Sequence, residues 1–110
     1  MDKPHRIKKN EEFQQIIKLK HAISNSTFVI YYDNKKESEA RVGISVSKKM
    51  GNAVERNKIK RQLRMMIKET IDLKTYHLDI IVITKKHFLN NSYADNKKML
   101  EKLLKKVTII

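Results

Sequence analysis

The most constraining feature of the chain is the run Leu78-Asp79-Ile80-Ile81-Val82-Ile83-Thr84, its most apolar stretch. At seven residues it is far short of the ~20 that a membrane span needs. It is β-branched and nearly uninterrupted, which fits a central strand rather than a half-exposed one. The rest of the chain must supply its neighbours. Arg41 to Ser47 alternates, with Val42, Ile44 and Val46 on one face and Gly43, Ser45 and Ser47 on the other, as a half-buried strand does. Gly43 leaves room for a close approach on the small face. Thr27-Phe28-Val29-Ile30-Tyr31-Tyr32 reads as a further strand, and Asp33 to Glu39 as a polar loop of hairpin type.

Helical periodicity fills the remainder. Asn10 is placed to cap a helix reaching about Ile23, with Phe13, Ile16 and Ile17 on its apolar face. Glu11 and Glu12 suit its start better than they suit an acid/base pair. Gly51 marks a turn, and Asn52-Ala53-Val54-Glu55 has capping-box spacing before a helix to about Leu73. Met99, Leu100, Leu103, Leu104 and Val107 make an amphipathic helix of roughly Ser92 to Val107. The order α-β-β-α-β-α predicts helices packed on a small mixed sheet. With 110 residues, no repeat and no linker, residues 1–110 are expected to form one domain.

Composition removes several chemistries. The chain has no cysteine, so it holds neither a disulfide nor a thiolate nucleophile. Met1-Asp2-Lys3-Pro4-His5-Arg6 has no apolar run behind it, so no signal peptide and a cytoplasmic location are expected. His5, His21, His77 and His87 lack ligand spacing, and two glycines cannot form a phosphate-cradling loop. Ser45-Val46-Ser47-Lys48 matches a Ser-x-x-Lys nucleophile only in letters, since on a strand residues three apart face opposite sides.

The net charge is +13, which opposes compaction unless a polyanion answers it. It is unevenly spread. Residues 48–68 carry eight basic groups against Glu55 alone, a net +7, and residues 97–110 carry +4. With Ile59 as zero and ~100° per residue, Leu63, Met66, Ile67 and Thr70 fall on one face of the helix. Asn57, Lys60, Arg61, Arg64 and Lys68 fall between about 100° and 200°, with Arg56 on the shoulder. A helix kept basic only for solubility interleaves Glu with Lys; this one does not. Arginine forks grip phosphate bidentately, the helix start favours anions, and Lys48 and Lys49 stand just upstream. The stripe therefore reads as a phosphate-binding surface, without a helix-turn-helix pattern to suggest DNA.

The segment from Arg41 to Arg61 closely resembles the bacterial ribonuclease P protein subunit. That family's signature is Arg-Asn-Arg opening this helix, after a strand and a Lys-Lys-x-Gly-Asn turn. Here it stands as Arg56-Asn57-Lys58 after Lys48-Lys49-Met50-Gly51-Asn52, with Lys60, Arg61 and Arg64 following. Lys58 keeps the charge and loses the fork. Arg6 to Phe13 carries the likeness to the start of the chain. The resemblance implies an α/β sandwich of α+β class, with a four-stranded sheet and a left-handed βαβ crossover; the additional strand is expected near Ser47 to Met50. It implies a substrate-binding and assembly subunit for a catalytic RNA that removes the 5′ leader of precursor tRNA. The chemistry would lie in the RNA, with Mg²⁺ held mainly there and no cofactor on this chain. The partners implied are the RNA subunit, along Lys48, Lys49, Arg56, Asn57, Lys58, Lys60, Arg61, Arg64 and Lys68, and the tRNA leader, in a cleft of Phe13, Ile17, Tyr31 and Ser45. Neither membrane nor DNA is expected as a partner. The alternative is a ribosomal-type RNA-binding protein without a catalytic assembly.

Overall fold

A computed structural model describes residues 5–109, with side chains through 107; Met1 to Pro4, on which the absence of a signal peptide was argued, lie outside it. The elements are α1 (Asn10–Lys18), β1 (Ala22–Ser24), β2 (Phe28–Asn34), β3 (Val42–Ser45), α2 (Ala53–Thr70), β4 (Leu78–Thr84) and α3 (Tyr93–Ile109). The sheet order is β1-β2-β4-β3. β4 pairs antiparallel with β2 and parallel with β3, so β3-α2-β4 is a βαβ unit between adjacent strands. This is the mixed α+β architecture expected from the element order. No helix among the described residues is long and apolar enough to cross a membrane.

β4 is central, and six of its seven residues are buried. Ile80 and Val82 join the larger core with Phe28, Ile30, Leu63, Met66 and the leucines of α3. Ile81 points to the opposite face and packs with Ile7 and Ile16, flanked by Phe13, Ile17, Tyr31 and Ile83. Two helices thus cover one face and α1 part of the other.

Five local expectations need correction. The first helix ends at Lys18, because Lys20 takes a left-handed φ of 57° and turns the chain back. Residues 22–24 then pair with β2, so the additional strand is this edge strand. Ser47 to Met50 instead leads into a 3₁₀ turn at Lys48–Met50. Asn10 does not cap α1. Lys9 occupies the cap position, because the segment before it is held extended by the Ile7 N–H donating to the Val42 carbonyl at 3.0 Å. The connection after β2 is not a hairpin, since β4 sits between β2 and β3. Finally, α2 stops at Thr70, where Ile71 turns extended.

One buried ion cluster fixes α1 to the sheet. Asp79, 1% exposed, accepts the Arg41 backbone N–H at 2.9 Å and its guanidinium at 3.3 Å. The same guanidinium meets Glu12 of α1 at 2.6 Å. Burial works against the Arg41 charge, but the hydrogen bond to Glu12 and the charges of Asp79 and Glu12 outweigh it and hold the group above its ordinary value. One residue on, Phe13 lies flat against Gly43: a Cβ there would stand 2.6 Å from the ring. The close approach that the glycine allowed is made by the protein's own aromatic ring.

Gly43→Ala should therefore lift Phe13 and destabilise the fold by about 1–3 kcal/mol, the usual range for overpacking. Urea denaturation measures the loss. Phe13→Leu in the same background should recover part of it, and equal midpoints for Gly43→Ala and the wild type would show that the ring does not depend on the glycine.

Candidate nucleic-acid interface

The start of α2 is built by its own side chains. Asn52 Oδ1 accepts the Glu55 N–H at 2.9 Å, and Glu55 Oε1 accepts the Asn52 N–H at 3.0 Å, completing the capping box. Gly51 sits at φ 137°, a conformation that favours glycine, and a Cβ there would press on Glu55 at 2.8 Å. Glu55 is thus committed to the cap, although it is the single acid of the basic segment. Met50 is buried and anchors the preceding turn, which leaves Lys48 and Lys49 exposed.

Ile59, Leu63, Met66 and Ile67 are buried, which sets the roll of α2. Asn57, Arg61 and Lys68 are exposed, and Arg56, Lys60 and Arg64 are half-buried. The nine basic-surface positions do not form one patch. Lys60 and Arg64 face the N-terminal segment. Lys58 lies on the other flank, in a cavity with Glu55, Gln62 and Tyr93. Lys68 borders a cavity of about 390 Å³ at the far end of α2, where Glu69 and Asp72 mix the charge.

The sharpest feature is a slot of about 140 Å³ lined by Arg6, Ile7, Lys8, Phe13, Val42, Ile44, Lys60 and Arg64. Among the described residues, four cations and no acid line it. Arg64 is drawn below its ordinary value first by burial and then by the charge of Arg6, yet a guanidinium remains protonated in a protein. Its Nε is buried without a hydrogen-bond partner among the described residues, as is that of Arg56. Buried donors lacking an acceptor cost about 1–3 kcal/mol each, and like charges add to that cost. An oxyanion entering the slot relieves both.

Phe13 joins this slot to the sheet face under α1. Ala22, Tyr31, Ile81 and Gly43 lie side by side across the sheet, and two residues on so do Ser24, Val29, Ile83 and Ser45. Both rows present the same face. α1 covers the first row, packing Phe13 and Ile17 with Tyr31 against the small core. Along the second row Val29, Ile83 and Ser45 are half-buried and Ser24 is exposed. Phe13, Ile17, Tyr31 and Ser45 therefore border one apolar shelf beside α1. Val29 and Ile83 belong to it too and were not singled out from the sequence, although strand alternation places Val29 with Tyr31. Arg6 and Lys8 carried no such signal: the bridge between Arg6 and Val42 brings them to α2. Of the histidines, His5 meets Glu39 at 2.5 Å and His21 stacks on Tyr32. Among the described residues no group of three or more His, Asp or Glu side chains converges as metal ligands do.

A mixed sheet backed by helices, with a cationic slot opening onto an apolar shelf, has the features of a polyanion-binding protein. Comparison with known proteins narrows that class. The ribonuclease P family model matches residues 1–108. The ribonuclease P protein component of Mycoplasma capricolum is 51% identical over 102 residues, which cover 92% of this chain and 94% of that protein. The Bacillus velezensis component is 42% identical over 99% of this chain and 94% of its own. Among solved structures, the Staphylococcus aureus RNase P protein superposes with a TM-score of 0.83 at 43% identity, covering 94% of each chain. The Thermotoga maritima protein does so with 0.78 at 30% identity, covering 92% of this chain and 96% of its own. The chain belongs to the ribonuclease P protein family.

Each phosphate neutralised contributes about 0.7–0.9 to the slope of log K against log salt. Arg61→Ala with Arg64→Ala should lower affinity for RNA and reduce that slope by about 1.5. Filter binding between low and moderate salt measures it. A slope equal to the wild type's would mean that these arginines do not contact phosphate.

Proposed function

We propose that this chain, as the protein subunit of ribonuclease P, binds the catalytic RNA with the basic face of α2 and the 5′ leader of precursor tRNA along the shelf beside α1. The observation that carries the reading is the cationic slot, where Arg64 and Lys60 of α2 meet Phe13 of α1. It makes the phosphate-gripping surface and the shelf contiguous, so a strand lying on the shelf runs its backbone past the cations. Half-buried Phe13 and Tyr31 offer ring edges and faces to unstacked bases, and Ser45 a hydroxyl, while the cations hold the backbone. Such contacts act on any leader sequence and read the single strand rather than its bases.

No residue of the chain is assigned to the chemical step. On this reading the endonucleolytic cut that yields the mature 5′ end belongs to the RNA subunit, where Mg²⁺ would supply activation of water and stabilisation of the leaving oxygen. The protein's part is to screen the repulsion between two polyanions and to hold the leader in register with the cleavage site. Positioning of this kind lowers the demand for free Mg²⁺, because protein cations replace part of the ionic screening. A cytoplasmic ribonucleoprotein acting on tRNA precursors fits this arrangement.

The test is reconstitution with a bacterial ribonuclease P RNA at low Mg²⁺, following 5′ cleavage of precursor tRNA. Strong stimulation by the protein is expected, and none would leave a general RNA-binding protein. Within the holoenzyme, Tyr31→Ala should weaken binding of precursor tRNA about tenfold, the equivalent of one stacking contact of ~1–3 kcal/mol, and leave binding of mature tRNA unchanged. Equal losses for both RNAs would remove Tyr31 from the leader site.

A further inference from the structure

α3 carries a basic surface that the function above does not use. Its inner side is core: Leu100, Leu103, Leu104 and Val107 are each at most 2% exposed. Its outer side is lysine. At ~100° per residue, Lys102, Lys105 and Lys106 fall within an arc of about 100° around Lys98, and all four are exposed. Among the described residues none of the four has an ion-pair partner; on this helix only Lys97 reaches an acid, Glu69 at 3.7 Å.

Three bland explanations fail. Exposed helices kept soluble by charge alternate the signs at four-residue spacing, as Lys97, Glu101 and Lys105 do, whereas Lys98, Lys102 and Lys106 form a like-charge ladder that repels itself. The helix dipole rewards cations only in the last turn, which accounts for Lys106 and not for Lys98 or Lys102. The row is also not an extension of the α2 stripe. The flank of α2 that faces α3 holds its two acids: Glu69 accepts the Tyr93 hydroxyl at 2.9 Å, and Glu55 lines a cavity with Tyr93 and Asn96. The slot with Lys60 and Arg64 is on the opposite flank. A lipid surface is a poor match, because a basic helix that lies in a membrane interface inserts its apolar face, and here that face is the protein core.

We infer that Lys98, Lys102, Lys105 and Lys106 form a second contact for an RNA phosphodiester backbone, separate from the α2 surface. The protein then touches two RNA segments at once, one on each flank of α2. The proposed function enters only in naming the RNAs that supply the segment, the ribonuclease P RNA or the precursor tRNA.

The full-length chain with Lys98→Gln, Lys102→Gln, Lys105→Gln and Lys106→Gln tests this. Glutamine keeps the helix propensity, and circular dichroism with a thermal midpoint checks the fold. For one of the two RNAs the salt slope of binding should fall by up to about 3, additively with the change from Arg61→Ala and Arg64→Ala, since the surfaces are separate. Unchanged slopes for both RNAs overturn the inference. Because the chain has no cysteine, Lys102→Cys offers a unique attachment point for a photocrosslinker. Cross-links into the ribonuclease P RNA or into the tRNA tell which one supplies the segment; cross-links into neither, or binding only to anionic vesicles, overturn it. If the wild-type protein fails to stimulate cleavage while the slope still falls, the ribonuclease P reading is lost and the second RNA contact stands.

Discussion

The structure depends on how β4 is buried. A strand covered on both faces has to be flanked by partners and roofed above and below, and the described residues provide three α-helices to do it. α2 and α3 together close one face. The other is left to nine-residue α1, which is too short to cover four strands. Its position is not set by apolar contact alone. Asp79 at the start of β4 is the charge that a central strand can least tolerate, and it is satisfied because Arg41, just before β3, reaches it while also holding Glu12. Removing Arg41 leaves the buried Asp79 carboxylate unanswered, typically a loss of about 3–5 kcal/mol. The cluster thus ties α1 to one end of the sheet, and the uncovered end becomes the shelf. A requirement of burial generates the cleft.

Much of this was legible in the residues. α2, α3 and β4 lie within two or three residues of their expected bounds, because each has an unbroken period and, for α2, a capping box with both partners in the sequence. The failures share one cause. Residues 22–24 continue a helical pattern on local grounds, and only pairing with β2 makes them a strand. The loop after β2 looks like a hairpin connection until β4, more than forty residues later, takes the place between its flanking strands. Asn10 is a good cap residue displaced by a tether from Ile7 to β3. In every case a long-range hydrogen bond overrode a correct local preference.

The candidate site divides in the same way. The basic character of α2 and the small face of β3 are local properties and were visible. Their junction was not. Arg6 and Lys8 are ordinary surface cations in sequence, and nothing in the spacing places them opposite Lys60 and Arg64, some fifty residues on. Lys58 makes the converse point. It sits within the recognised motif, one residue from Asn57, yet the roll of the helix sends it to the other flank with Glu55 and Gln62. Sequence adjacency on a helix is a poor guide to shared surface; positions three and four apart are the informative ones.

That roll also sorts the charge. The acids of α2 are used on the flank facing α3, in the cap and in the contact with Tyr93, and not at the slot. Arg64 consequently sits partly desolvated beside Arg6 with an unmatched Nε, an arrangement that costs free energy in the unbound protein. Any ligand that binds the folded chain and not the unfolded one recovers this cost as stability, and a phosphate is the group whose charge and acceptor geometry recover most of it. The same logic applies to the lysine ladder of α3, which is solvated and therefore less costly to leave empty. On the proposed reading, the desolvated slot would set the orientation of a bound strand and the solvated row would add salt-sensitive affinity, because a fixed fork specifies direction while flexible ammonium groups supply charge alone.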